Sequence, residues 1–281
     1  MTLASWIADG ENRLRGGPHP ERARRDAETL LLHLIQRGRA FLIAHSDEAL
    51  SAEKAVRYDA LLSRRLGGEP IQYITGETEF YGLPFRVDRS VLIPRPETEH
   101  LVEKILSLAE AFANPRIADV GTGSGAIAIA LAHKLPAAQV TAIDLSPQAL
   151  AVARANAEQN SVAKRIRFLE GSLLEPVADE TLDMIVSNPP YVPETDRASL
   201  SVEVRDYEPA LALFAGDDGL AVYRQLIPQA AAVLVPGGFL ALEVGCGQHT
   251  AVADLLAASG FSQIEFTPDL QGIQRVVTGR R

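Results

Sequence analysis

The chain has 281 residues, of which 47% are hydrophobic, with 36 acidic against 27 basic side chains and a single cysteine. That length suits one large domain or two modest ones; no apolar run reaches the roughly 18 residues that a membrane-spanning helix needs, and acidic Asp9 and Glu11 stand where a secretory signal would be apolar, so a cytoplasmic globular protein is expected. Cys246 alone excludes an internal disulfide and a cysteine-built zinc site, and the six histidines show no HxxxH or HExxH spacing, so no metal is expected.

Residues 1–75 read as a small helical domain of nearly balanced charge. In Glu21–Gln36 the apolar Ala23, Ala27, Leu30, Leu31 and Leu34 share one helical face. A second helix starts at the N-cap Ser51 and runs through Ala55, Tyr58, Leu62 and Leu66 to Gly67-Gly68. Arg22, Arg24 and Arg25, and Arg64 and Arg65, read as solvated helix faces rather than as a basic patch. The stretch 76–93 reads as a β-hairpin linker, with Thr78–Tyr81 and Phe85–Val87 separated by Gly82 and Pro84. Pro96 then opens a helix that carries Leu101, Val102, Ile105, Leu106 and Leu108, with Glu97 and Glu99 at its positive end.

From residue 116 strands and helices alternate. Ile117–Val120, Gln139–Asp144, Ile166–Glu170, Leu182–Ser187 and Gly238–Val244 read as buried strands, and helices start near Gly125, Pro147, Gly219 and Thr250. This order predicts an α/β, Rossmann-like, doubly wound and mostly parallel sheet over residues 94–281. Ile264–Phe266 and Arg275–Thr278 leave no room for a helix between them and predict an antiparallel C-terminal hairpin at the sheet edge. The negative charge lies beyond residue 75, the reverse of what a chain tracking a phosphate backbone needs, so direct nucleic-acid binding is not expected.

Gly121-Thr122-Gly123-Ser124-Gly125 follows the first of these strands, where glycines let the backbone approach a ligand. The spacing is neither a dinucleotide fingerprint nor a phosphate loop; it reads as a nucleotide loop, with a bare structural turn as the lesser alternative. Asp144 ends the next strand, where a carboxylate can accept from both ribose hydroxyls of an adenosine; paired with the loop it predicts a nucleoside site. Asn188-Pro189-Pro190-Tyr191 ends the fourth strand. Residues before proline are held extended, so this segment offers a side-chain oxygen and a main-chain oxygen as two acceptors, which match a planar NH2 group. Tyr191 adds an aromatic face or edge. The competing reading is a plain proline-rich loop.

These motifs resemble those of S-adenosylmethionine-dependent amino-methyltransferases, and over nearly the whole chain those of the HemK/PrmC type, the release factor glutamine methyltransferases. The matching pieces are Tyr73-Ile74-Thr75-Gly76, Phe80-Tyr81-Gly82, Leu92-Ile93-Pro94-Arg95-Pro96-Glu97-Thr98-Glu99, the glycine loop, Val186-Ser187-Asn188-Pro189-Pro190-Tyr191, Arg205-Asp206-Tyr207-Glu208-Pro209, Gly216-Asp217-Asp218-Gly219-Leu220 and Arg275-Val276-Val277-Thr278-Gly279-Arg280. The resemblance implies S-adenosyl-L-methionine as methyl donor, bound by Gly121, Thr122, Gly123, Ser124, Gly125, Asp144, Ser172, Leu173 and Asn188. Many members have an acidic residue and an aromatic where this chain has Ser172-Leu173. It implies catalysis by Asn188, Pro189 and Tyr191, with Pro190, Arg95 and Glu97 also at the substrate, and peptide chain release factors as partners, recognised through residues 1–75. Methylation of a ribosomal-protein glutamine, methylation of a nucleic-acid base and non-catalytic adenosine binding are the alternatives.

Overall fold

A computed structural model describes residues 1–281. In chain order its helices and strands are α1 (Leu3–Leu14), α2 (Ala23–Ile35), α3 (Arg39–Ala44), α4 (Ala52–Leu66), α5 (Ile71–Thr75), β1 (Glu77–Phe80), β2 (Leu83–Arg86), α6 (Glu99–Ala109), β3 (Arg116–Val120), α7 (Ala126–Lys134), β4 (Gln139–Asp144), α8 (Pro147–Gln159), β5 (Ile166–Glu170), β6 (Leu182–Ser187), α9 (Val202–Tyr207), α10 (Ala221–Val233), β7 (Leu234–Glu243), α11 (His249–Ala258), β8 (Ser262–Pro268) and β9 (Gln274–Arg280). They form two compact units, one of residues 1–76 with 200–207, the other of 77–199 with 208–281. None of the helices is long and apolar enough to cross a membrane.

The helical unit follows from its caps and its apolar face. Thr2 and Ser51 accept from the Ser5 and Lys54 N–H groups to start α1 and α4. The faces meet in a core of Leu3, Ile7, Leu14, Ala27, Leu30, Leu31, Tyr58 and Leu62. Tyr58 is fully buried because its hydroxyl donates to the Ala27 carbonyl at 2.8 Å, and Gly10 makes room for it: a Cβ there would come within 2.7 Å of that oxygen. The expectation of a solvated face fails at Arg65, which is 3% exposed. Its guanidinium meets Asp26 at 2.6 Å and also pairs with Glu203, from a segment more than a hundred residues away in sequence. Arg64 pairs instead with Glu69 at 2.8 Å. Nothing in the local pattern around α4 announces a partner so distant, and α9 itself is too short to carry a periodic signal.

In the second unit, Tyr81 and Gly82, both at positive φ, make the tight turn of the β1–β2 hairpin. The main sheet has the order β5-β4-β3-β6-β7-β9-β8, parallel from β5 to β7, with β9 antiparallel to β7 and β8 on the edge. Alternate residues face opposite layers. Ile117, Val140, Ala142, Met184, Val186 and Ala241 join α6, α7 and α8 on one face. Ala118, Val120, Ile143, Ile185, Leu240 and Leu242 join α10 and α11 on the other. α7 is buried all round, which matches its unbroken run of Ala, Ile and Leu. β7 starts at Leu234, earlier than the expected Gly238, because the register against β6 slips between Leu182 and Met184 and absorbs Pro236 in an irregular stretch. The chain runs outward from β3 through β4 to β5 and then returns to place β6 on the other side of β3. That reversal opens a crevice at the C-terminal ends of β3 and β6.

Candidate active site

A cavity of about 400 Å3 occupies this crevice, lined among others by Gly121, Gly123, Asp144, Ser172, Leu173, Asn188 and Pro190. Its wall is mostly apolar, with Val120, Ile143, Leu145 and Leu211 around the polar groups. Leu145 and Leu211 are more than half exposed at its mouth.

The glycine loop is held from below. Asp119 is fully buried and accepts from Thr122 Oγ1 at 2.6 Å and from the Ala128 N–H at 3.1 Å, which ties the loop to the first turn of α7. Burial pushes the Asp119 carboxyl up to about 7, against the pull of those two donors. Gly121, Gly123 and Gly125 all have positive φ. Gly121 lines the cavity and a Cβ there would meet no protein atom within 4 Å, whereas a Cβ on Gly125 would meet Ile129 at 2.9 Å and Ala153 at 3.1 Å. Thr122 and Ser124 do not line the cavity: the Thr122 hydroxyl points down to Asp119, and Ser124 is buried with its carbonyl accepting from Asn156 Nδ2 at 2.9 Å. The same Asn156 amide grips both backbone groups of Arg86, so one buried side chain of α8 clips the hairpin to the loop.

Asp144 stands at the end of β4. Its Oδ2 accepts from the Gly123 N–H at 2.8 Å and its Oδ1 from the Ser146 N–H at 2.9 Å, which leaves further lone pairs on both oxygens. Burial raises its carboxyl above the usual range, opposed by the Ser146, Gly123 and Leu145 N–H groups. The helix after it is capped by Ser146, which accepts from Ala149 at 3.1 Å and frees Asp144 from capping duty.

On the other side of the crevice, Ser187 Oγ donates to the Val120 carbonyl at 2.7 Å and locks the end of β6 to the end of β3. Asn188 follows directly. Its Nδ2 donates to Thr98 Oγ1 at 3.1 Å, and neither its side-chain oxygen nor the Pro189 carbonyl is engaged by a donor of the protein. Thr98 stands beside Glu243 at the end of β7, where its hydroxyl favours the ionised carboxylate. Burial pushes the Glu243 carboxyl up to about 7, opposed by Thr98, Arg275 and Arg95.

Tyr191 packs its ring on the core beneath the sheet, and burial, with Glu243 nearby, pushes its phenol up to about 12. Its carbonyl accepts from Gln248 Nε2 at 2.9 Å. Gly219 must be glycine, because a Cβ there would lie 2.2 Å from that carbonyl oxygen. Arg95 is spent on Glu208, which it meets at 2.6 Å and which is almost fully buried; neither Arg95 nor Glu97 lines the cavity, although both stand in the electrostatic surroundings of Tyr191 and Glu243. The cavity therefore gathers Gly121, Gly123, Asp144, Ser172, Leu173, Asn188 and Pro190, whereas Thr122, Ser124, Gly125, Pro189, Tyr191, Arg95 and Glu97 lie outside its lining. Thr98, Ser187, Glu243 and Gln248 escaped the sequence reading. A signal existed for Glu243, a lone carboxylate closing an apolar strand; for Thr98 the helix-start reading of its neighbours concealed it.

Two family models match the chain: the PrmC N-terminal domain over residues 5–76 and the methyltransferase small domain over residues 97–204. A release factor glutamine methyltransferase of Koribacter versatilis is 42% identical over all of this chain and 99% of its own length. One of Moorella thermoacetica is 45% identical, covering 98% of this chain and 97% of its own. Among solved structures, the hMettl16 catalytic domain in complex with a MAT2A 3′UTR hairpin superposes with a TM-score of 0.59 at 16% identity, covering 88% of this chain and 87% of that one, a likeness of fold alone. With relatives this similar from end to end, and with the loop, the acidic strand end and the Asn-Pro-Pro-Tyr segment gathered at one crevice, the chain belongs to the release factor glutamine methyltransferases.

Proposed function

We propose that this chain transfers a methyl group from S-adenosyl-L-methionine to the side-chain amide nitrogen of the glutamine in the Gly-Gly-Gln motif of peptide chain release factors. The observation that carries the reading is that Asn188 lines the same cavity as Gly121, Gly123 and Asp144, so an amide held by Asn188 lies beside a nucleoside held by the others. The residues fit the donor: Gly121 leaves the space a Cβ would fill, Asp144 retains lone pairs for ribose hydroxyls, and Val120, Ile143, Leu145, Leu173 and Leu211 give a flat base apolar walls. When bound, that donor supplies an electrophilic methyl on a sulfonium.

The residues of this chain then have to overcome the poor nucleophilicity of an amide nitrogen, whose lone pair is delocalised into its carbonyl. Asn188 Oδ1 and the Pro189 carbonyl accept the two amide hydrogens, which holds the nitrogen in one orientation and favours its pyramidalisation. Fixing the two reactants in line is the main source of rate, and no strong base is needed, because the N-methylated amide cation gives up its proton readily. The helical unit carries no catalytic cluster and is read as the part that meets the protein substrate.

The test is tritiated methyl transfer from S-adenosyl-L-methionine to purified release factor, a ribosomal protein mixture and DNA in parallel. Label is expected on release factor alone, and not on a release factor whose motif glutamine is replaced by alanine. Label confined to DNA or to a ribosomal protein would overturn the assignment.

A further inference from the structure

We propose that Thr98 and Glu243 are positioning residues that fix which end of the Asn188 amide faces the cavity. The proposal rests on the reading of Asn188 as the acceptor for the substrate amide. Two features of these residues are otherwise unaccounted for. Thr98 closes the 3-10 turn Pro96–Thr98 that leads into α6, with helical φ and ψ, so its hydroxyl is not in a position to cap the helix. The side chain makes no cap bond and is 4% exposed. Glu243 is 2% exposed at the end of an apolar strand, and its Oε2 has no hydrogen-bond partner. A carboxylate is costly to bury, and the Thr98 hydroxyl beside it, with Arg275 and Arg95, opposes that cost.

The direction of the hydrogen bonds follows from counting protons. Thr98 has one hydroxyl hydrogen, and an ionised Glu243 can only accept it. The lone pairs of Thr98 are then all that Asn188 meets, so Asn188 must turn its NH2 toward Thr98, as the 3.1 Å contact from Nδ2 records. Its Oδ1 is left for the cavity. A protonated Glu243 permits the reverse chain, in which the carboxyl donates to Thr98, Thr98 donates to Asn188 Oδ1, and the NH2 swings toward the incoming amide, where it meets like donors. The charged and titratable groups around Glu243 are Arg275, Glu97, Arg95 and the phenols of Tyr191 and Tyr223. With its carboxyl pushed up to about 7, turnover should rise as pH passes upward through that value.

The experiment measures donor affinity by calorimetry and kcat on release factor across pH 5.5–9 for the full chain and its Thr98→Val, Thr98→Ser, Glu243→Gln and Asn188→Ala variants. Thr98→Val keeps the shape and removes the hydroxyl; its kcat should fall about tenfold or more while donor affinity stays within about twofold. Thr98→Ser should recover kcat to within about threefold of the parent, because the hydroxyl is restored. Glu243→Gln should lower kcat and abolish the pH rise near 7, and it keeps the proposal testable if Thr98→Val fails to fold. Wild-type kcat in Thr98→Val, a Thr98→Ser as impaired as Thr98→Val, or an unchanged pH profile in Glu243→Gln overturns the proposal. If Thr98→Val is fully active while Asn188→Ala is inactive, only the positioning role falls; full activity of Asn188→Ala removes the acceptor reading beneath it.

Discussion

The two loops that face each other across the crevice rest on a buried carboxyl each, but they are wired differently. Under the glycine loop, Asp119 reaches Thr122 and Ala128, neighbours three and nine positions along the chain. Under the Asn-Pro-Pro-Tyr loop, Glu243 reaches Thr98 and through it Asn188, so three segments far apart in sequence must come together before one amide is oriented. The support that Asp119 gives the first loop is local, with Asp144 and Asn156 holding the loop from farther along the chain. The second exists only in the completed fold, and its chemistry depends on side chains that no local pattern connects.

The largest expected effect is one that both loops share. Burial holds the Asp119 and Glu243 carboxyls near 7, whereas in an unfolded chain they titrate near 4. Between these values the native state binds more protons than the unfolded state, so stability falls as pH rises through the window, by up to about tenfold in the unfolding constant per carboxyl per pH unit. Denaturant melts from pH 4 to 8 should show that slope. Asp119→Asn should flatten it without altering the shape of the pH–turnover profile, whereas Glu243→Gln should change both, which separates the two carboxyls by function.

Next in size, Asn188→Ala should lower turnover by about 100-fold or more, the cost of misplacing a reacting atom by about an ångström, with little change in donor affinity. Asp144→Ala should do the opposite, weakening donor binding by roughly 1–3 kcal/mol with turnover largely kept at saturating donor. Calorimetry and single-turnover kinetics on the two variants would collapse the comparison if both changed the same quantity. Gly125→Ala places a Cβ against Ile129 and Ala153 at positive φ and should cost roughly 1–2 kcal/mol of stability, read by chemical denaturation. Smallest of all, Tyr191→Phe should change turnover by less than about threefold, since the ring supplies packing and its phenol stays protonated through the neutral range.

This contrast also explains what could be read from the sequence. The parallel sheet, the C-terminal hairpin and the Ser146 cap were legible because each rests on periodicity or on a residue within a few positions, and the pairing of the glycine loop with Asp144 because both stand at the ends of adjacent, plainly patterned strands. The start of β7 was misplaced because a register slip has no periodic mark. The resemblance implies Arg95 at the substrate, and the structure pairs it with the buried Glu208, more than a hundred residues away in sequence. Thr98 lies within the same segment and does the less visible work.

The helical unit needs residues 200–207 to complete the surroundings of Arg65 and to bring the Tyr207 hydroxyl onto the Gly67 carbonyl at 2.9 Å. Gly68 must also stay bare there, since a Cβ would lie 2.5 Å from Val202. During synthesis these partners emerge about 130 residues after the unit's own helices, a delay of roughly 6–25 s at typical translation speeds. Over that interval the nascent helices hold an arginine whose second carboxylate has not yet been made. The unit encoded first is therefore finished late, and its maturation keeps time with the elongation of the sheet rather than preceding it.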